Sequence, residues 1–138
     1  MRNWGQARDY CRVSLGGQLA TITSDNTNME IAIALRNLKD NGEAWLGGQK
    51  SEDGTWRWLS GGLSKAQGLA FYLPSGETGE YAPWADTEPG NGDCLYLHAD
   101  GSWRSASCLG NNLQYFVCQE VAPPPSPPPV PPPSPPPP

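Results

Sequence analysis

A run of acidic residues without any neutralising base is the main chemical feature of this sequence. No lysine or arginine occurs between Lys65 and Arg104. The acidic residues of that stretch are Glu77, Glu80, Asp86, Glu88, Asp93 and Asp100. Neighbouring carboxylates repel one another unless water or a cation neutralises them, and calcium takes about 6–8 oxygen ligands, mostly carboxylates and carbonyls. A calcium site and a solvated acidic loop both account for the pattern.

Aromatic side chains in or beside the same stretch offer a second chemistry. Tyr81, Trp84 and Trp103 could stack on the face of a sugar ring, while the carboxylates accept hydrogen bonds from its hydroxyls. Arg104 could pair with an acidic sugar or with Asp93. The only histidine, His98, is interpreted as a structural or surface residue.

The composition limits the function classes. The chain has 138 residues, a net charge of −5 and only nine scattered Lys and Arg residues, which argues against nucleic-acid binding. The longest apolar run, Ile31 to Leu35, is far shorter than the roughly 20 residues of a membrane span. Asp86 and Glu88 could be arranged as a glycosidase pair, but one histidine fits no catalytic triad and no phosphate loop is present. We therefore predict that the chain is not an enzyme.

Residues 122–138 form a separate, proline-rich tail. All but three of the 16 prolines lie between Pro123 and Pro138, so we expect a polyproline II spacer of roughly 50 Å. Such a tail suits PxxP recognition. Its serine-interrupted blocks, at Ser126 and Ser134, resemble the Ser-Pro repeats of hydroxyproline-rich glycoproteins in green-algal and plant cell walls. That resemblance implies hydroxylated, glycosylated prolines, an extracellular setting and matrix proteins as partners.

The elements that position the acidic stretch can be predicted from periodicity. A first helix is expected over residues 3–12 and a strand over Gln18–Thr23. The second helix has two candidate caps, a Thr27/Glu30 capping box and the rival Ser24. Its expected apolar stripe consists of Ile31, Ala34, Leu35 and Leu38.

The second half of the chain predicts short strands. These are expected at Ala44–Gly47, at Thr55–Trp58 after an Asp53–Gly54 turn, at Cys94–Leu97 and at Gln114–Cys118. Residues 60–93 show little periodicity and are interpreted as a long functional loop. Helices early and antiparallel strands late predict an α+β domain.

Four cysteines, at Cys11, Cys94, Cys108 and Cys118, favour disulfides. No CxxC spacing occurs, which argues against a zinc site. The cysteine spacing alone leaves three connectivities open. Disulfides suit secretion, but no signal peptide precedes Trp4, so we expect an incomplete N-terminus.

A series of short motifs appears in a fixed order. They are Trp4–Cys11, Gly17–Ile22, Trp45–Gly48, Trp56–Trp58, Trp84, Glu88–Pro89, Gly92–Cys94, Trp103 and Phe116–Cys118. In this order they resemble the C-type lectin-like domain family over residues 1–121. The resemblance implies a fold with two helices, short antiparallel sheets, a long loop and the disulfides Cys11–Cys118 and Cys94–Cys108. It also implies that Trp45, Trp58, Trp84 and Trp103 belong to the core. Of the three aromatic residues in or beside the loop, Tyr81 is expected to be the exposed one.

The resemblance raises one structural difficulty. The family normally begins with a strand before the first helix, and that strand pairs with the last one. This chain lacks room for it before Trp4. We therefore expect an N-terminally truncated fragment in which the strand around Phe116 is an unpaired edge.

Sugar-binding members of the family hold calcium through a Glu-Pro-Asn type motif, a further Glu, and an Asn-Asp pair after a Trp. Here Glu88 and Pro89 match, and the bond between them is expected to be cis. Gly90 and Gly92 stand in the amide and extra-Glu positions, and Arg104 with Ser105 replaces the Asn-Asp pair. We expect the standard site to be lost, or rebuilt as a shifted calcium site from Glu88, Asn91 and Asp93.

These residues predict an extracellular recognition domain for a glycan or glycoprotein. The candidate ligand-binding residues are Tyr81, Trp84, Glu88, Asn91, Asp93 and Arg104. The alternative is a structural module of a cell wall or matrix that binds protein partners and recognises no sugar.

Overall fold

The α+β architecture is confirmed by a computed structural model that describes residues 3–38, 42–59, 69–76, 81–109, 115–120 and 132–136. Helices α1 (Trp4–Val13) and α2 (Asp25–Arg36) flank strand β1 (Gly17–Leu19). The later strands are β2 (Ala44–Lys50), β3 (Trp56–Trp58), β4 (Leu69–Tyr72), β5 (Cys94–Leu97), β6 (Trp103–Ala106), β7 (Tyr115–Phe116) and β8 (Cys118–Glu120).

Helix α1 begins at a reciprocal cap. The Asn3 side chain accepts a hydrogen bond from the Gln6 amide, and the Gln6 side chain accepts one from the Asn3 amide. Trp4, Ala7 and Cys11 are buried on one face, as their spacing predicts. The Trp4 indole donates to the carbonyl of Leu46, which fixes the helix against β2.

Helix α2 begins at Ser24, so the predicted Thr27/Glu30 capping box is wrong. Ser24 has extended backbone and its hydroxyl accepts a hydrogen bond from the Thr27 amide, which places Thr27 inside the first turn. The buried face is also rotated from the predicted stripe. It consists of Asn28, Ala32 and Leu35, while Leu38 is exposed.

The main sheet has the strand order β4-β3-β2-β5-β6, and β7 pairs in parallel with β2. Phe116 lies opposite Trp45 in that pairing, and β8 pairs with β1 in a second, two-stranded sheet. The expected unpaired edge around Phe116 is therefore wrong. Strand β2 is long enough for β3 and β7 to share the edge that β5 does not occupy.

Strands β4 and β6 were not predicted. Residues Leu69–Tyr72 lie inside the stretch interpreted as a loop, yet they pair with β3. Strand β6 follows the Asp100–Gly101 turn and pairs with β5 along its whole length. Strand β1 is shorter than predicted, because its pairing with β8 ends at Leu19.

The core has two apolar clusters, one with Trp56, Trp58 and Trp103 around Phe71 and the other with Trp4 and Trp45. Trp45, Trp58 and Trp103 are buried, as the resemblance implies, and Trp56 joins them. The Phe71 ring stacks on Trp58 with centroids 4.4 Å apart. Buried aromatic rings of this size dominate the packing free energy of a small domain.

Two disulfides close the fold, with the implied pairing. Cys11–Cys118 joins α1 to β8, and Cys94–Cys108 joins the start of β5 to the chain after β6. Among the residues that the structure describes, no helix is long and apolar enough to cross a membrane.

Residues 132–136 of the tail are exposed and belong to neither helix nor strand. The rest of the tail lies outside the described residues. Its polyproline II conformation and the 1–121 and 122–138 boundaries stay predictions.

Candidate functional site

Residues 81–93, here called the cleft loop, run along the outer edge of β6. The Trp103 amide donates to the Pro83 carbonyl at 2.9 Å, and the Ala85 amide donates to the Trp103 carbonyl at 3.0 Å. One step along, the Ser105 amide donates to a Glu88 carboxylate oxygen at 2.6 Å. The loop thus continues the sheet, first with backbone groups and then with a side chain.

Glu88 is held to β6 through Ser105. The Ser105 hydroxyl donates to the same Glu88 oxygen at 3.0 Å and accepts the Gly90 amide at 2.7 Å. The Glu88–Pro89 bond that carries this carboxylate is cis, as the resemblance implies. Two donors on one ionised oxygen make charge-assisted hydrogen bonds, which stabilise the carboxylate without a cation.

An open cleft of about 490 Å³ lies between the cleft loop and the turn that joins β5 to β6. Its lining combines one aromatic edge, three carboxylates, one guanidinium and two hydroxyls. The lining residues are Trp84, Ala85, Asp86, Thr87, Glu88, Asp100, Ser102 and Arg104. A concave surface with a few convergent polar groups is the usual form of a small-ligand site.

The turn residue Asp100 organises the far wall of the cleft. One of its carboxylate oxygens accepts the Ser102 amide at 2.8 Å and the Ser102 hydroxyl at 2.5 Å, and lies 3.2 Å from Nδ1 of half-buried His98. Burial alone would raise the pKa of Asp100. The hydrogen bonds from Ser102, together with the charges of His98 and Arg104, lower it to about 2.

Arg104 contacts Asp100 rather than Asp93. Its Nη2 lies 3.2 Å from Asp100 Oδ2, and its Nε donates weakly to the Ser102 hydroxyl at 3.4 Å. Asp93 instead pairs with Lys50 Nζ at 3.2 Å. The suggested Arg104–Asp93 pair is therefore not the arrangement that forms.

Tyr81 is packed rather than exposed. Its hydroxyl donates to Asp25 on α2 at 3.0 Å, and its ring meets Trp103 edge to face. Burial and the Asp25 hydrogen bond raise the pKa of Tyr81 to about 12. Tyr81 therefore positions the start of the cleft loop against α2.

Trp84 is half-buried, and its ring packs against Trp56 and Tyr72. Those contacts cover part of the ring, and Trp84 also borders the cleft. Its role in stacking on a sugar stays a prediction.

The structure brings half of the predicted site residues together. Trp84, Glu88 and Arg104 line the cleft, whereas Tyr81 packs on α2 and the exposed Asn91 and Asp93 do not line it. The sequence interpretation had not assigned Thr87, Asp100 and Ser102 to the site. The sequence predicts a turn at Asp100–Gly101 before Trp103. The Asp100–Ser102 spacing could also have indicated the contact between them, because an aspartate commonly accepts the amide two residues ahead.

Metal ligands are not concentrated here. Within the described ranges, no three His, Cys, Asp or Glu side chains are grouped so as to hold a metal ion. Of the acidic residues in the predicted shifted site, Glu88 is bonded to Ser105 and Asp93 to Lys50.

The fold is that of a C-type lectin domain. The family model for the Lectin C-type domain matches residues 1–120, and the chain belongs to this family. Known proteins of the family support the same assignment. C-type mannose receptor 2 of Rattus norvegicus is 33% identical over 125 residues, which cover 88% of this chain. The chain spans only between 1% and 7% of the length of the curated relatives that it matches.

Solved structures share the architecture. A Lectin C-type domain from a hypothetical protein of C. elegans has a TM-score of 0.64 and 26% identity, covering 88% of this chain and 76% of that one. The cow carbohydrate-recognition domain of CD23, solved in the presence of a GlcNAc2Man3 oligosaccharide, has a TM-score of 0.63. Its identity is 23%, with 88% of this chain and 81% of that one covered, so the likeness concerns the fold alone.

Proposed function

We propose that this chain is an extracellular recognition domain that binds glycans or glycoproteins in the cleft, without calcium. The observation that carries the proposal is the pair of hydrogen bonds from Ser105 to Glu88, at 2.6 and 3.0 Å. The family supports recognition over catalysis, and the two disulfides fit an oxidising, extracellular setting. One relative is named as a mannose receptor and one neighbour was solved with an oligosaccharide, which suggests a sugar ligand.

The hydrogen bonding of Glu88 is the main support for binding without calcium. In the family's sugar site this glutamate is expected to bind the metal, but here Ser105 already satisfies one of its oxygens twice. Arg104 adds a positive charge to the same cleft. A guanidinium near a cation site repels the metal, so the present donor set does not fit the standard calcium site.

Gly92 gives a second, steric argument. The resemblance expects an extra glutamate ligand at this position. A Cβ atom on Gly92 would collide with the backbone of Ala106, so this backbone accepts no side chain there. The close packing of Gly92 against Ala106 therefore supports the loss of this ligand.

A shifted calcium site remains the competing account of the acidic loop. It would require Asp93 to leave Lys50 and Glu88 to share its oxygens between Ser105 and the metal. Asp93 would give up a contact already present in the structure, and Glu88 would bind the metal while Ser105 holds its other oxygen. We therefore favour direct hydrogen bonding of sugar hydroxyls to Asp86, Glu88 and the cleft hydroxyls.

The test is binding of the refolded chain to a glycan panel, first with calcium and then with chelator. We expect binding to survive chelator, because no metal bridges the ligand. Arg104→Ala should weaken binding several-fold by reshaping the cleft wall, whereas Glu52→Gln, an exposed change outside the cleft, should not.

Two results would contradict the proposal. Binding that chelator abolishes would establish a rebuilt cation site in place of direct contacts. The absence of glycan binding in either buffer would favour the structural module that docks to matrix proteins. Melting temperature with and without calcium gives an independent readout, and we expect it to be unchanged.

A further inference from the structure

The charge balance of the cleft is set by an internal ion pair. Its described lining holds the carboxylates of Asp86, Glu88 and Asp100 and one basic side chain, Arg104. Because Arg104 Nη2 lies 3.2 Å from Asp100 Oδ2, those two charges largely offset each other. Asp86 and Glu88 then leave the cleft with a net negative charge.

Arg104 is restrained from turning towards a ligand. The carboxylate of Asp100 that holds it is fixed by the Ser102 amide and hydroxyl, and Arg104 Nε reaches the same hydroxyl. Asp100 stays ionised above its lowered pKa of about 2, so the pair persists at all ordinary pH values. An acidic ligand would have to break this pair before it could engage the guanidinium.

No other base belongs to the described lining of the cleft, since His98 contacts Asp100 from outside it. The chain has no lysine or arginine between Lys65 and Arg104, and Lys50 is paired with Asp93 outside the cleft lining. Asp86 is exposed and makes no hydrogen bond or ion pair within the described residues. Its carboxylate is therefore available to a cationic group of a ligand.

Resting on the proposed function, we propose that the cleft selects glycans by charge, preferring amine-bearing sugars to neutral ones and rejecting acidic ones. Asp86 and Glu88 attract the amino groups of the ligand. Asp100 neutralises Arg104, so that Arg104 does not attract acidic sugars. The ligand class is a glycan with free amino groups, such as a glucosamine oligomer. Attraction between exposed charges is screened by salt, so the preference should shrink as ionic strength rises.

The matched ligands are glucosamine oligomers and N-acetylglucosamine oligomers of equal length, which differ in the charge of the nitrogen substituent. Uronic-acid oligomers form the third arm, and calorimetry on the full chain is the measurement. At low salt we expect the amine-bearing oligomer to bind about tenfold more tightly than the acetylated one. The uronic-acid oligomer should be the weakest, and added salt should narrow the gap.

Two charge variants of equal net charge separate the cleft from the overall acidity of the chain. Asp86→Asn removes an exposed carboxylate inside the cleft, and Glu52→Gln removes an exposed carboxylate outside it. We expect Asp86→Asn to reduce the amine preference several-fold and Glu52→Gln to leave it unchanged. Both carboxylates are exposed and Asp86 has no partner among the described residues, so both variants should fold.

Asp100→Asn tests the discrimination. Loss of the ion pair should free Arg104 and strengthen binding of the uronic-acid oligomer relative to the parent chain. Circular dichroism checks that Asp100→Asn still folds. If this variant does not fold, the binding preference of Asp86→Asn still tests charge selection.

The outcomes distinguish this inference from the proposed function. Binding of all three oligomers with equal affinity overturns charge selection but leaves glycan binding intact. Equal effects of Asp86→Asn and Glu52→Gln also overturn it, because the preference would then follow the net charge of the chain. If the chain binds neither the three oligomers nor any glycan of the panel, the proposed function itself is overturned.

Discussion

Asn28 is a buried polar residue that ties three parts of the molecule together. It is 1% exposed on α2, its Nδ2 donates to the Gly101 carbonyl at 2.8 Å, and its Oδ1 accepts the Trp103 indole at 2.8 Å. Gly101 belongs to the turn that supports Asp100, and Trp103 begins β6. A single amide thus anchors the far wall of the cleft to the helix.

Replacing Asn28 with Leu should destabilise the domain strongly. The substitution leaves the Trp103 indole N–H and the Gly101 carbonyl buried without partners, at about 1–3 kcal/mol each. Urea unfolding of Asn28→Leu measures the loss. The matched control is Asn26→Leu, an exposed position on the same helix, where a change within about 0.5 kcal/mol is expected. Equal unfolding free energies for the two variants would show that the amide is dispensable.

At the residue scale, the sequence predicted which side chains are buried better than it predicted the partners of polar side chains. Trp103 could be assigned to the core from its type and motif. The partner of Arg104 could not, since it depends on how the Asp100–Ser102 turn aims a carboxylate. Asn28 was missed because an asparagine in a helix gives no sequence signal that it faces inward.

At the element scale, helix α2 carries that amide and begins with a capped first turn. Ser24 accepts the Thr27 amide at 3.3 Å and also contacts the Thr27 hydroxyl. Within the helix, Asn28 and Ala32 are buried and Ala34 is exposed, so the buried face differs from the predicted stripe.

The cap assignment is directly testable. Ser24→Ala should lower the free energy of unfolding by about 1 kcal/mol, because the Thr27 amide loses its acceptor. Glu30→Ala should have little effect, since Glu30 is exposed and no capping box forms there. Thermal unfolding of both variants is the measurement. A larger loss for Glu30→Ala than for Ser24→Ala would restore the Thr27 cap.

Strands were predictable where the sequence alternates. The Trp56–Trp58 segment alternates and follows a turn, and it forms β3 as expected. Strand β4 has no such signal, because Leu69 is 64% exposed at the sheet edge and the flanking residues are rich in glycine and serine. Its strand conformation comes from pairing with β3, which is a tertiary effect.

At the scale of the whole molecule, the two disulfides close loops of very different length. Their cysteines are separated by 107 residues for Cys11–Cys118 and by 14 for Cys94–Cys108. In the chain-entropy description, a longer closed loop restricts the unfolded chain more. The values are about 4.7 kcal/mol for a 100-residue loop and about 3 kcal/mol for a 15-residue loop.

Removing each pair of cysteines should reproduce that order. The double variant Cys94→Ser with Cys108→Ser should lose about 3 kcal/mol, and Cys11→Ser with Cys118→Ser should lose more. Urea unfolding under oxidising conditions compares them with the parent chain. An unchanged unfolding free energy in either double variant would exclude a stabilising role for that bridge.

The cleft loop also prevents the edge strand β6 from pairing with another chain. The Pro83 carbonyl and the Glu88 carboxylate take up the Trp103 and Ser105 amides, which would otherwise face another chain as an open strand edge. Any event that lifts the loop therefore exposes a template for aggregation. The hydrogen bonds of Pro83 and Glu88 to β6 thus support both the solubility of the domain and the shape of its cleft. Substitutions in the cleft loop that break these bonds should affect both properties.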